Sequence, residues 1–213
     1  MIAIMDYGVG NLFSLKSSLA QLGQDTVVTA DPDTIRKADR LILPGVGAFG
    51  DAMDKLVATG LVPVIRAEAE KKPLLGICLG MQMLFDESEE FGLHKGLGLI
   101  PGRVVRIPST DVQGRPQKVP HISWDPLNPA GGRTDFAGTV LAGVTPGEEC
   151  YFIHSYEAKP ADEADRLADT VYGGRAVCAA AAHGSVVGCQ FHPEKSGKVG
   201  LRIIEEYLNR AGE

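Results

Sequence analysis

The apolar positions of this 213-residue chain fall into short unbroken runs and longer spaced sets. Ile2-Ala3-Ile4-Met5, Thr26-Val27-Val28-Thr29, Arg40-Leu41-Ile42-Leu43 and Leu74-Leu75-Gly76-Ile77 are of strand length and show no polar alternation. Such runs suit strands covered on both faces, as in a parallel sheet. Between the first two, Leu12, Leu15, Leu19 and Leu22 recur at helical spacing, with Asn11 placed to cap the helix and Gly23 to stop it. Further helices are predicted from the glycine-rich stretch after Pro44 to about Thr59, from about Leu61 to Lys72, after Gly80 to about Phe85, and from about Gly197 to Asn209. The expected fold class is α/β, a single domain over 1–213 with a largely parallel central sheet flanked by helices.

From Gly92 onward the pattern changes. Strands are predicted at Val104–Ile107, Tyr151–Tyr156 and Asp169–Tyr172, and Val119–Trp124 is a compact apolar segment with the only tryptophan. The polar stretch 108–118 and the Gly- and Pro-rich stretch 128–138 read as loops. Ala176 to Ala182 is alanine-rich, which favours helix. It is nevertheless assigned as strand, because His183-Gly184-Ser185 leads straight into Val186–Phe191 and two strands around a short turn form the better local unit. The Glu87, Glu89, Glu90 cluster reads as a solvated face.

Composition narrows the function classes. A net charge of −6 without a basic cluster disfavours nucleic acid as a partner. There is no apolar run of membrane-spanning length, and Asp6 interrupts the first apolar stretch, so neither a membrane segment nor a signal peptide is expected. Cys78, Cys150, Cys178 and Cys189 form no C-x-x-C pair and read as free thiols of a cytoplasmic protein. The five histidines are scattered, so no metal site and no cofactor are expected.

Candidate chemistry centres on Gly76-Ile77-Cys78-Leu79-Gly80, where a strand arrives and a helix leaves. This is the nucleophile-elbow arrangement with cysteine in place of serine. A sharp strand-to-helix turn strains the nucleophile, and the flanking glycines allow close approach of neighbouring segments. The helix start favours thiolate, and the Leu79 N–H is free to meet an oxyanion. A buried structural cysteine on a tight turn is the alternative. Gly45, Gly47 and Gly50 match the G-x-G-x-x-G dinucleotide fingerprint after a strand, though not in the first β-α turn. An oxyanion loop and a plain tight turn are equally open readings of the same glycines. His192-Pro193-Glu194 follows a strand, and residues two apart point to one side of an extended chain. A carboxylate there fixes the imidazole tautomer and favours its charged form, as a Cys-His pair requires.

Gly76 to Gln82 and Gln190-Phe191-His192-Pro193-Glu194 together resemble the class I glutamine amidotransferase family. Asp6 to Asn11, Pro44 to Phe49, Pro120 to Trp124, Tyr151 to Tyr156 and His192 to Ser196 extend the resemblance in the family's order over nearly the whole chain. They point, within the family, to the glutaminase subunits of histidine biosynthesis. The resemblance implies a flavodoxin-like core and hydrolysis of L-glutamine to glutamate and ammonia through a cysteine thioester. It implies Cys78 as nucleophile, His192 as acid-base and Glu194 as its orienter. The Leu79 N–H and the Val46–Gly47 peptide would be oxyanion donors, and Gly45, Gln82, Glu90, Ser155 and Tyr156 the glutamine contacts. A (β/α)8-barrel cyclase subunit would take the ammonia in a 1:1 heterodimer, making imidazole glycerol phosphate and an aminoimidazole carboxamide ribotide. Asn11, His121, Trp124, Tyr151 and Lys195 would face it, a core tryptophan being the alternative for Trp124. Ser123 stands where the family usually has Gly, and Asp125 where it usually has Asn. Glutaminases feeding other synthases, free-standing cysteine hydrolases and, more distantly, a dinucleotide-binding protein are the competing readings.

Overall fold

The computed structural model describes residues 1–210; the last three residues of the expected 1–213 domain lie outside the described residues. The first half of the chain comprises β1 (Ile2–Met5), α1 (Leu12–Gln21), β2 (Thr26–Thr29), α2 (Pro32–Lys37), β3 (Arg40–Gly45), α3 (Phe49–Ala58), α4 (Val62–Ala69), β4 (Leu74–Cys78) and α5 (Leu79–Met83). It is followed by β5 (Phe85–Ser88), β6 (His94–Lys95), β7 (Ile100–Arg106), β8 (His121–Pro126), β9 (Asn128–Pro129), β10 (Glu149–His154) and β11 (Tyr156–Pro160). β12 (Arg166–Tyr172), β13 (Arg175–His183), β14 (Val186–Cys189) and α6 (Gly197–Asn209) complete it.

The main sheet has the order β2-β1-β3-β4-β14-β13-β12-β9. The pairs from β2 through β14 are parallel, and β13, β12 and β9 extend the sheet antiparallel. Adjacent residues of each parallel strand bury opposite faces. Ala3, Met5, Leu41, Leu43 and Leu74 pack under α3 and α4 with Phe49, Leu56 and Ile65. Ile2, Ile4, Ile42, Leu75 and Ile77 pack against α1 and α6 with Leu15, Leu19, Ile203 and Ile204. This two-sided cover is why these strands carry no polar alternation. The Tyr207 hydroxyl ties α6 to the sheet, donating to the carbonyls of Leu41 at 2.7 Å and Pro73 at 3.0 Å.

The α/β architecture agrees with the expectation, and several elements depart from it. α2 is an additional helix, capped by Asp31, whose carboxylate accepts from the Thr34 N–H at 2.8 Å. The helix expected to reach Phe85 ends at Met83, because Phe85 joins β5 and pairs in parallel with Ile100 of β7. Glu87 therefore sits on a strand, partly exposed beside Lys95 at 3.1 Å. The expected strand Tyr151–Tyr156 is two strands. β10 pairs with β8, β11 pairs with β7, and Ser155 is the break between two small sheets. The alanine-rich segment is strand β13, antiparallel to β14 across the His183–Ser185 turn.

Candidate active site

Cys78 ends β4 with φ +55° and ψ −113°, a region that side-chain-bearing residues rarely occupy. The neighbouring glycines make the turn sterically feasible. A Cβ at Gly76 would lie 2.7 Å from the Gly80 carbonyl oxygen, and one at Gly80 would overlap the Leu43 carbonyl. Register then brings the second motif alongside. β14 runs parallel to β4 with Cys189 opposite Ile77, so the next residues, Gln190 to His192, emerge beside Cys78.

His192 and Glu194 are both buried, and His192 Nδ1 lies 2.7 Å from Glu194 Oε1. That commits Nδ1–H to the carboxylate and leaves Nε2 for the Cys78 sulfur. Burial acts against the His192 charge, but its hydrogen bonds and charge interactions with Cys78 and Glu194 outweigh it and raise the pKa from 6.5 to about 9. The other three thiols face no such partner. Burial pushes Cys150 and Cys178 up to about 12, and Cys189 higher still.

Cys78 and His192 open onto a cavity of about 350 Å³ that Val46, Gly47, Leu79, Gln82, Glu90, Ser155, Tyr156 and Lys195 also line. The loop before α3 is held by Glu90, whose Oε2 accepts from the Phe49 N–H at 2.7 Å. Gly47, at φ +96° with open space around it, is the flexible joint of that loop. Two candidates do not reach the cavity wall. Gly45 packs under the elbow, where a Cβ would lie 2.6 Å from the Gly80 nitrogen. Gly50 is likewise closed off, 2.6 Å from the His94 ring. The fingerprint glycines Gly45 and Gly50 thus serve internal packing. The first N–H of α3 already has its anion, which leaves no cradle for a pyrophosphate.

The expected partner face divides. Trp124 and Tyr151 are cross-strand neighbours on β8 and β10, with ring centroids 5.9 Å apart. Trp124 is about half exposed, not a core residue, and Ile122 and Ile153 are exposed beside it. Lys195 Nζ stands 5.9 Å from the Tyr151 ring centroid. Asn11 is partly exposed and caps α1, its side-chain oxygen 3.5 Å from the Ser14 nitrogen. His121 is a correction: it is fully buried and cannot contact a partner. Alternation along β8 turns Ile122 and Trp124 outward and His121 inward, stacked between Phe152 and Tyr172.

Two buried groups had no assigned role in the sequence. Gln190 Nε2 lies 3.9 Å from Cys78 Sγ, and His154 Nδ1 lies 2.8 Å from the Tyr156 carbonyl oxygen. Their signal was a polar residue inside an apolar strand, Gln190 in phase with His192 and Glu194. Among the described residues no cluster of His, Cys, Asp and Glu could hold a metal, and no helix is long and apolar enough to cross a membrane.

An elbow cysteine, a buried imidazole–carboxylate pair and a glycine-jointed loop around one cavity define a cysteine enzyme of the amidotransferase type. The chain belongs to the class I glutamine amidotransferase family, whose model matches residues 3–209. More particularly, it is 46% identical over 208 residues to the imidazole glycerol phosphate synthase subunit HisH 1 of Legionella pneumophila strain Lens, covering 97% of this chain and 98% of that protein. It is 50% identical over 212 residues to the subunit HisH of Geobacillus kaustophilus, covering 99% and 97%. Among solved structures, a glutamine amidotransferase crystal structure matches with TM-score 0.72 at 18% identity, covering 97% of this chain and 96% of that one, which speaks to the fold.

Proposed function

We propose that this chain is the glutaminase subunit of an imidazole glycerol phosphate synthase, acting in the cytoplasm as a single amidotransferase domain. The observation that carries the reading is the buried Glu194–His192 pair meeting Cys78 at the wall of a cavity lined by Gln82 and Glu90. The Cys78 thiolate attacks the side-chain amide carbon of glutamine. The developing oxyanion is met by the Leu79 N–H and by the Val46–Gly47 peptide once its N–H turns inward. His192 gives its proton to the departing ammonia, leaving a thioester, and then draws a proton from the water that releases glutamate. Glu90 suits the substrate ammonium, while Gln82, Ser155 and Tyr156 supply the polar wall around the rest of the substrate.

The exposed Trp124, Ile122 and Ile153 beside the cavity mouth support a partner that covers this face, read as a (β/α)8-barrel cyclase in a 1:1 complex that receives the ammonia. A glutaminase serving another synthase, or a free-standing hydrolase, is distinguished by experiment. The chain is co-purified with candidate synthases and glutaminase is assayed with and without the acceptor. We expect the free chain to be slow and the cyclase with its ribotide to accelerate it by on the order of 10²-fold, the worth of one oxyanion donor. A free chain already as fast as the liganded complex would sink the coupling, and activation by a different synthase would reassign the partner.

Glu194→Gln tests the imidazole's orienter. The raised pKa keeps His192 charged through neutral pH, and activity is lost as pH rises through about 9. Removing the carboxylate removes one of the groups holding that charge, so the alkaline limb moves to lower pH. The rate should fall, but roughly two orders of magnitude less than on loss of the nucleophile. A pH–rate profile superimposable on wild type would show that another acid orients His192.

A further inference from the structure

Two side chains from distant parts of the sequence grip the loop before α3 at its ends. Tyr7 is buried in the turn after β1, and its hydroxyl donates to the Pro44 carbonyl at 2.6 Å. That contact fixes the plane of the Pro44–Gly45 peptide. Burial, with Cys78 nearby, raises the Tyr7 pKa, so the hydroxyl stays a donor at every working pH. At the other end, Ala48 supplies no side-chain cap to α3. An uncapped helix leaves its first N–H groups without partners. Glu90 meets one of them from far along the chain, its Oε2 lying 2.7 Å from the Phe49 nitrogen, and so fixes the plane of the Ala48–Phe49 peptide. Glu90 is itself held in place. Its N–H donates to the buried Ser88 hydroxyl at 3.2 Å, and the neighbouring Glu89 N–H donates to the Val104 carbonyl at 3.1 Å.

Between these fixed planes lie the peptides Gly45–Val46, Val46–Gly47 and Gly47–Ala48. Turning one of them over with its ends held carries the φ of the residue after it to the opposite sign. After Gly45–Val46 that residue is the β-branched Val46, and after Gly47–Ala48 it is Ala48, at φ −88°. Neither side chain adopts a positive φ without strain. After Val46–Gly47 it is Gly47, already at φ +96° with open space around it and equally free to take the negative sign. We infer that Tyr7 and Glu90 are positioning residues: they pin the Pro44 and Phe49 ends of the loop, so that only the Val46–Gly47 peptide turns and its N–H arrives at one fixed point beside Cys78. The fixed point matters because an oxyanion donor works only within hydrogen-bond range of the developing charge. Glu90 does this in addition to facing the cavity. A carboxylate has two oxygens, so holding Phe49 through Oε2 leaves Oε1 for the substrate ammonium.

The inference rests on the reading that the cavity takes glutamine, so one arm of the test avoids that reading. In the complex with the cyclase and its acceptor, Tyr7→Phe should lower the glutamine kcat by about fivefold, the worth of one hydrogen bond. KM should stay as in wild type, because Tyr7 does not line the cavity. Alkylation of Cys78 by iodoacetamide in the same complex should keep its wild-type rate. There the thiolate displaces iodide at a tetrahedral carbon, no oxyanion forms, and the loop has no charge to stabilise. A kcat equal to wild type overturns the proposal, and so does a parallel fall in alkylation, which would place the damage in the elbow. Glu90→Gln loses the charge that suits the ammonium but keeps an oxygen for the Phe49 N–H, so its KM should rise. Glu90→Ala should lose about a further fivefold in kcat. Equal kcat values in the two variants overturn the Glu90 pin. In the free full chain, amide hydrogen exchange across residues 45–49 should quicken by about fivefold in Tyr7→Phe and Glu90→Ala but not in Glu90→Gln. Unchanged exchange overturns the pins. Absence of glutamine turnover in the wild-type complex fails the functional reading alone, because the exchange rates still decide the pins.

Discussion

Cys78→Ala is expected to lose glutaminase turnover by on the order of 10³-fold or more while keeping its fold and its partner. Cys78 is buried at the edge of the core, but only its sulfur is removed and that atom borders the cavity, so the packing lost is small. What disappears is the only thiol that meets an imidazole. In the wild-type protein, a glutamine-like electrophile should label Cys78 before Cys150, Cys178 or Cys189. Those three are fully buried and their thiols are held protonated by that burial, far from the thiolate that reacts. Turnover assays, melting curves and peptide mapping after labelling check both halves. A variant that keeps most of its activity, or another cysteine labelled first, removes Cys78 from the mechanism.

The ease with which each element could be read from the chain follows its physical cause. β1, β2 and α6 have the bounds their patterns predict, because burial on two sheet faces or on one helix face writes itself directly into apolar periodicity. β13 is a strand in spite of its alanine content, because flanking β12 and β14 supply the hydrogen bonds that override helix propensity. The end of α5 just before Phe85 is not legible locally, because the place of Phe85 in β5 depends on Ile100, a residue distant in the chain. Ser155 looked like strand interior, yet it is where the chain changes sheets, a decision taken by β7 and β8 rather than by its neighbours. At the site, the placement of Cys78, His192 and Glu194 was legible because an elbow and a two-residue alternation impose strict residue types. The inward turn of His121 was not, since the phase of a lone aromatic strand is set by what it pairs with, here His154.

Gly80→Ala is expected to destabilise the fold by about 3 kcal/mol, the upper end of what overpacking costs, with a fall in melting temperature of about 10 °C. The new Cβ would meet the Leu43 carbonyl oxygen and the Pro44 carbonyl carbon, at 3.2 Å for the latter. Both belong to backbone in the middle of the parallel sheet, so no side-chain rotation can relieve the overlap. β3 and α5 have to move apart, and the elbow that holds Cys78 at its positive φ opens with them. Gly47→Ala supplies the contrast. Open space surrounds Gly47, so a methyl group fits, and only its φ of +96° resists a side chain. The expected cost is about 1–2 kcal/mol of local strain, taken up by the loop rather than by the core. The melting temperature should therefore fall less than in Gly80→Ala, while partner-stimulated glutaminase falls because the Val46–Gly47 peptide is less able to turn its N–H to the oxyanion. Thermal melts and stimulated assays on the two variants separate the effects. A Gly80→Ala protein that melts with wild type would show that the elbow yields more easily than its packing indicates, and a Gly47→Ala protein fully stimulated by its partner would take the loop out of the switch.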